Sequence, residues 1–471
     1  MQPFTAWASI ASHLKFEAVQ AAYEGRPVPA PLAEEIDRLD ERADLFDDRR
    51  AREILAELAA LPVDPAFPYD QPDDLEAIRR LRPDGPRRME LDLSDDAMLE
   101  RFHGAWTGRA CGCALGKPVE AFSLIDQGRL RIRDYLERRG HWPLDFYFSA
   151  EPRDDDEPGR TIDPDDPAAR ENIAYMPPDD DIHYTLVALR VLERHGPGFA
   201  WHDVAETWNQ MLPFASLCTA EAQAMTNYNL RNVRGEAGPR PSPLWTARHN
   251  NPYREWIGAQ IRADGWAYAA AGDPEFAAEL AWRDARWTHA ANGVYGEMFT
   301  AAMIAAAFAP QGPDADPARL VHIGLSEIPA NCRLAEAVRL ALKWVEQCDD
   351  LDGFMARLEG AYGDLHPVHT VNNAMICVAA LCFGQRDGDV DGAAAICHAV
   401  AAGLDTDCNG ATVGSIVGAT IGHARFSDRF KKPLNDTIRP NVLGFEKVRI
   451  ADLARRTLAV HKTARRARES T

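Results

Sequence analysis

Two short acidic runs carry the residues best suited to chemistry. The first is Pro178-Asp179-Asp180-Asp181, directly ahead of the apolar stretch Ile182–Leu192. One aspartate is enough to cap a helix and complement its dipole, whereas three adjacent carboxylates repel one another. A hard divalent cation relieves that repulsion, because magnesium takes oxygen ligands from one or two carboxylates and keeps several waters. The second run is Gly403-Leu404-Asp405-Thr406-Asp407-Cys408-Asn409, again at the start of a helix-forming stretch. Its alternating aspartates and threonine offer several oxygen donors on one turn, and Gly403 and Gly410 let the backbone bend around them. For either run alone, an overcharged cap and a cation site both remain open. If the two helix starts converge, four or more carboxylate oxygens surround a pair of cations able to position a substrate and activate a water.

The elements that must position these runs are marked by glycine. Gly104, Gly108, Gly112 and Gly116 recur at every fourth position, and Gly410, Gly414, Gly418 and Gly422 repeat the pattern. Glycine costs a helix interior about 1 kcal/mol relative to alanine, so a full stripe needs a compensating close approach of another backbone. Two arrangements are open: the stripes pack on each other, or each packs on separate elements. Ser94-Asp95-Asp96 reads as the N-cap of the first of these helices.

Further helical segments are expected at Ile182–His195, Val204–Met211, from Ala267-Tyr268 onward, and at Gly296–Phe308, Cys332–Gln347, Asn372–Leu381 and Val390–Leu404. Runs of strand type are scarce, so the expected fold class is all-α. Residues 1–60 look helical, with Ile36, Leu39, Leu45, Ile54, Leu55 and Leu58 among charges, and Leu61–Leu93 reads as an irregular connector rich in proline and aspartate. Residues 1–93 are thus expected as an extension, 94–430 as the catalytic domain, and 431–471 as a C-terminal segment packed on it. The tail's Arg455, Arg456, Arg465 and Arg466 suit a solvated helix or a partner contact. Gly235–Pro252 reads as a loop.

The net charge of -20 over 471 residues repels phosphate backbones, so nucleic acid is not expected as a partner. No apolar run reaches the roughly 20 residues a membrane span needs, and Met1–Phe16 lacks the basic start and apolar stretch of a leader. Nine scattered cysteines, Cys111, Cys113 and Cys377 in apolar surroundings, fit packed thiols in a reducing cytoplasm rather than a zinc site. His183 suits either a proton shuttle or a helix-surface histidine. Trp282 and Trp287 suit nucleobase stacking or core packing, and His369, Asn372 and Asn373 suit a cleft wall or a helix cap.

These segments together resemble the ADP-ribosylglycohydrolase family from about Ser94 to His423. Gly104–Glu120 resembles its glycine-spaced opening helix, which runs into Ala114-Leu115-Gly116-Lys117-Pro118-Val119-Glu120. Asp179-Asp180-Asp181 is similar to its early Thr-Asp-Asp motif, and Gly403–Gly422 to its late Gly-x-Asp-Thr-Asp motif with glycines behind. The chain is similar in these motifs to the dinitrogenase reductase-activating glycohydrolase. The resemblance implies a compact orthogonal multi-helix fold and hydrolysis of an N- or O-glycosidic bond at the anomeric carbon of an ADP-ribosyl group. It implies two Mg2+ ions, Mn2+ being an alternative, held by Asp179, Asp180, Asp181, Asp405 and Asp407. Catalytic roles fall to Asp405, Glu120 and Asp181, and substrate contacts to Glu120, Gly258, Gln260, Arg262, His289, Asn292 and Gly293. An N-glycosidase of free nucleosides or nucleotide-sugars, and a non-catalytic ADP-ribose-binding protein, are the alternative readings. Asp179 and Cys408 both stand where many members carry threonine, and a thiol is a poor magnesium ligand.

Overall fold

Ser94 accepts a hydrogen bond from the Ala97 N–H (3.3 Å) and starts the helix Asp95–Gly116 as its cap. From Gly104 to Gly116 every residue of that helix is buried. A second helix, Thr406–Ile421, is buried from Thr406 to Ala419. Helices buried on all sides belong at the centre of a fold, and these two form its axis. They run antiparallel, glycine against glycine. A Cβ placed on Gly104, Gly108 or Gly112 would overlap the carbonyl oxygen of Gly418, Gly414 or Gly410, and one on Gly116 would overlap that of Thr406. Of the two arrangements open from the sequence, the stripes therefore pack on each other. The ladder of contacts also sets the end of the first helix beside the start of the second.

The computed structural model describes residues 9–40, 48–125, 127–154, 156, 159–233, 242–309, 316–386 and 389–470. Leu45, the first residues of Met1–Phe16, and residues 235–241 of the Gly235–Pro252 loop fall outside these ranges. The helices that surround the axis include Asp180–His195, Thr219–Val233, Asn292–Ala307, Thr370–Phe383 and Gly392–Ala401. The strands among the described residues are two short antiparallel hairpins, Gln385–Arg386 with Asp389–Val390 and Thr437–Ile438 with Val448–Arg449. The fold is all-α. No helix among the described residues is long and apolar enough to cross a membrane. All nine cysteines are free thiols.

At the N-terminal end, helices Ile10–Tyr23, Ala30–Asp40 and Asp48–Ala60 share a small core of Leu14, Leu32, Ile36, Ala51, Ile54, Leu55 and Leu58. The connector departs from its expected irregular form. Asp74 caps a helix at Leu75–Leu81, and Ile78 is fully buried in the main core. Prolines 62, 65, 68 and 72 lie ahead of that helix and leave it uninterrupted, while Ile78 supplies its apolar anchor. The extension is also bolted to the body by charge. Arg254 donates to both carboxylate oxygens of Glu17 (2.7 and 2.8 Å) and to both of Glu24 (2.7 and 3.1 Å). At the other end, helix Ile450–Glu469 lies against the first axial helix, where Trp106 Nε1 donates to Thr457 Oγ1 (3.0 Å).

Candidate metal centre

The antiparallel axis delivers Glu120, four residues past Gly116, to the two aspartates that open the second axial helix. Carboxylate oxygens of Glu120, Asp405 and Asp407 lie within 4.8 Å of one another. The helix Asp180–His195 adds the early run from the side, and donor atoms of Asp181, Asp407 and Cys408 fall within the same 4.8 Å. Arg109, fully buried on the first axial helix, ties that third helix down. It donates to the Asp181 carbonyl (3.1 and 2.5 Å) and pairs with Asp181 Oδ1 (3.2 Å) and Asp264 Oδ2 (2.6 Å). The late run is braced by Asn373, whose Oδ1 accepts from the Asp405 N–H (3.2 Å) and from Asn409 Nδ2 (2.8 Å). Asn373 Nδ2 is itself fixed by the carbonyls of Pro367 and His369. Leu404 takes a left-handed φ of 57° immediately before Asp405, a turn that needs such bracing.

Six carboxylates (Glu120, Asp179, Asp180, Asp181, Asp405 and Asp407) meet Lys117 and Arg109 here, and Arg109 is shared with Asp264. Burial and mutual repulsion raise most of the acids. Burial, then Asp179 and Asp407, lifts Asp180 to about 8. Asp181 and Asp405 rise well above the carboxylate range by burial and by their acidic neighbours. Glu120 rises chiefly through Asp407 and then burial. Asp179 is the exception. Burial would raise it, but Lys117 at 2.7 Å pulls it down, and its other oxygen caps the helix by accepting from the Asp181 N–H (3.0 Å). Asp179 is thus engaged on both oxygens, whereas Asp181 Oδ2 and Asp405 Oδ1 are buried without any hydrogen-bond partner. Buried acceptors of this kind are expensive to leave unmatched. Orphaned oxygens within an excess of negative charge are what a divalent cation of oxygen preference would satisfy, so the donor set fits a metal.

The other residues expected at the site are placed differently. Arg262 is fully buried, and each nitrogen of its guanidinium has a partner: Asp284 (2.7 Å), Glu221 (2.7 Å) and Thr288 (2.8 Å). Gly258 lies so close to Glu221 that a Cβ would overlap its carboxylate, and Gly293 presses on the Arg254 carbonyl in the same way. Gln260 is buried between Thr370 Oγ1 (3.0 Å) and Cys377 Sγ (3.9 Å). Asn292 is saturated by Gln71, Glu255 and the Leu334 N–H. His289 bonds Thr288 Oγ1 (2.8 Å) and turns Nε2 toward Glu221 at 3.9 Å. All pack on internal partners, and all but the half-buried Gly258 are buried: Gly258, Arg262 and His289 gather around Glu221, whereas Asn292 and Gly293 belong with Glu255 and Arg254.

His183 is buried, not on a helix surface: its Nε2 accepts from the Asn441 N–H (3.0 Å), and burial holds its pKa down at about 4. Trp287 is fully buried in the core, and Trp282 donates to the Asp73 carbonyl (2.9 Å). His369 caps helix Thr370–Phe383. Two residues of the centre escape sequence reasoning. A single arginine amid small residues gave no sign that Arg109 would be the buried counter-charge. The thiol of Cys218, raised first by Asp180, comes within electrostatic reach of the early acidic run.

A family model described as ADP-ribosylglycohydrolase matches residues 94–467. Among solved structures, a protein described as "ADP-ribosylglycohydrolase-related protein complex" is similar at 18% identity and a TM-score of 0.46, over 78% of this chain and 99% of that one. No curated protein matches the chain.

Proposed function

Since the chain belongs to the ADP-ribosylglycohydrolase family and is a hydrolase of glycosidic bonds to ADP-ribose, we propose that it releases ADP-ribose from a modified protein or small molecule in a magnesium-dependent reaction. Asp180, Asp181, Asp405 and Asp407 hold two Mg2+ ions in this reading, with Mn2+ able to substitute. The observation that carries it is the meeting of the early and late acidic runs, with Asp181 and Asp407 within 4.8 Å and buried oxygens on Asp181 and Asp405 left open. When bound, the cations supply a grip on the ribose hydroxyls and a more acidic water.

The chain's own residues do the rest. Glu120 is the half-exposed member of its trio with Asp405 and Asp407, so it faces incoming substrate and takes the attacking water's proton. Asp405 holds its open oxygen toward the same place. Glu120, not among the proposed cation ligands, lies where a carboxylate favours the positive charge that builds at the anomeric carbon in an oxocarbenium-like transition state. Asp181, gripped by Arg109, keeps the early run at a fixed distance. Gly258, Arg262 and His289 support this arrangement through Glu221, Gln260 through Thr370 and Cys377, and Asn292 and Gly293 through the neighbouring Arg254–Glu255 cluster.

The test is ADP-ribose release from a mono-ADP-ribosylated protein, beside hydrolysis of free nucleosides, with Mg2+, with Mn2+ and with a chelator. Release from the modified protein that stops with chelator and returns with Mg2+ is expected. Turnover indifferent to the chelator sinks the metal assignment. Hydrolysis of nucleosides alone moves the substrate to a free glycoside.

A further inference from the structure

Each axial helix presents one thiol to Asp181. Cys113 comes from the first, its sulfur within 4.8 Å of oxygens on Asp179 and Asp181, and Cys408 comes from the second, its sulfur within 4.8 Å of oxygens on Asp181 and Asp407. Both thiols are buried. Each thiol also has a carboxylate to donate to, Cys113 to Asp179 and Cys408 to Asp405. They differ in what else surrounds them. Asp179 is already engaged on both oxygens by Lys117 and by the Asp181 N–H. Beside Cys408, Asp181 Oδ2 and Asp405 Oδ1 have no partner in hydrogen-bonding geometry, and each of those residues is more than nine-tenths buried.

We propose that the position between Asp181, Asp407 and Cys408 is a mixed sulfur–oxygen site that takes a thiophilic divalent cation, of the class of Zn2+, Co2+ or Cd2+, with Cys408 Sγ as a direct ligand. This rests on the metal centre of the preceding section and extends it to ion selectivity. Zinc-like ions sit about 2.3 Å from thiolate sulfur and about 2.0–2.2 Å from carboxylate oxygen, so three donors that already lie within 4.8 Å of one another can be drawn onto one ion by side-chain rotation. Magnesium gains nothing from sulfur, whereas borderline and soft ions do. Binding breaks the Cys408 S–H bond and forms a sulfur–metal bond, and the proton leaves to solvent. The carboxylates at Asp181 and Asp407 offset the cation's charge. Two classes of ion then compete for one centre: a hard ion on oxygens alone, and a thiophilic ion that also engages sulfur.

The experiment uses the full chain with Cd2+ alone as probe and follows the ultraviolet sulfur-to-cadmium charge-transfer band. Mn2+ binding, read by electron paramagnetic resonance, serves as an independent measure of the oxygen donors. The wild type is expected to develop the band and to release bound Mn2+ as Cd2+ is added. Cys408→Ser and Cys408→Ala lose the band, and Cd2+ binds them more weakly by on the order of tenfold to a hundredfold, since removal of even an outer partner of a metal ligand has that effect. Cys113→Ser and Cys218→Ser keep the band. Thermal melting confirms that each variant is folded, and two replacements at Cys408 guard against one that is not. A wild type without the band, or a band that survives both Cys408 replacements, overturns sulfur ligation. If Mn2+ still binds in that case, the oxygen centre stands and only the thiol falls; if Mn2+ fails to bind as well, both fall together.

Discussion

Around Arg254, three glutamates (Glu17, Glu24 and Glu255) meet three arginines (Arg248, Arg254 and Arg333), the glutamates buried. Around Asp407, six carboxylates meet one lysine and one arginine. The first cluster is matched almost atom for atom. Gln20 and Arg333 donate to one oxygen of Glu255, and Asn292 donates to the other. Burial alone would raise its acids, but Arg254 and Arg248 bring Glu24 down to about 2, and Arg333 and His369 lower Glu255. In the second cluster burial and repulsion act together, and the acids other than Asp179 rise. Buried charge is therefore no marker of function in itself. A group of charges left without their complement is, because folding alone has no reason to keep it.

The contrast can be broken by substitution. Asp405→Ala or Asp407→Ala should slow ADP-ribose release by about 10²- to 10⁴-fold, the kinetic equivalent of several kcal/mol. Measured without metal, the same variants should be no less stable than the wild type, since each removes a repelled charge. Arg254→Met should do the reverse. It takes Arg254 from Glu17 and leaves Glu24 with only Arg248 and Arg26, and should cost about 3–5 kcal/mol in denaturant unfolding. If Asp405→Ala unfolded the chain as readily as Arg254→Met, the distinction between the two clusters would fail. Asn373→Ala sharpens the comparison from the metal side. Losing the brace on Asp405 should weaken Mn2+ binding by about 10–100-fold, visible by calorimetry.

The smallest effect is in pH. Burial and its acidic neighbours hold Asp180 at about 8, far above the ordinary aspartate value of 3.8, so between those values the folded chain holds the extra proton. Stability of the metal-free chain should fall as pH rises through this window. Glu24, lowered from 4.5 to about 2, stabilises above its unfolded value and loses that contribution only as pH falls below about 4.5. Comparing melting temperatures of wild type and Asp180→Asn at pH 6 and 8.5 isolates the first effect. The wild type should lose more on going to the higher pH, and saturating Mg2+ should shrink the difference.

Both acidic runs and both glycine stripes were legible in the sequence because each violates a local preference: surplus charge at a helix cap, and glycine inside a helix. Their convergence follows from the pairing of the stripes, which spacing suggests but does not decide. The pairing of the other expected residues was not legible. Arg262, Asn292 and His289 look available in one dimension, and their partners (Glu221 and Asp284, Gln71 and Glu255, Thr288) come from segments that only the fold brings near. The connector was misjudged because its prolines drew attention from Ile78, whose burial anchors a helix there.

Along the glycine seam nothing but peptide units separates the helix that ends at Gly116, just before Glu120, from the helix that Asp405 opens. Main chain has no rotamers to reshuffle, so the gap between the two halves of the centre is as stiff as the helices themselves. A methyl group on any rung would act as a wedge, parting all the donors at once. Cys408 lies among the acids, and under the proposed sulfur ligation a single side chain would retune the choice of ion while the frame holds its dimensions.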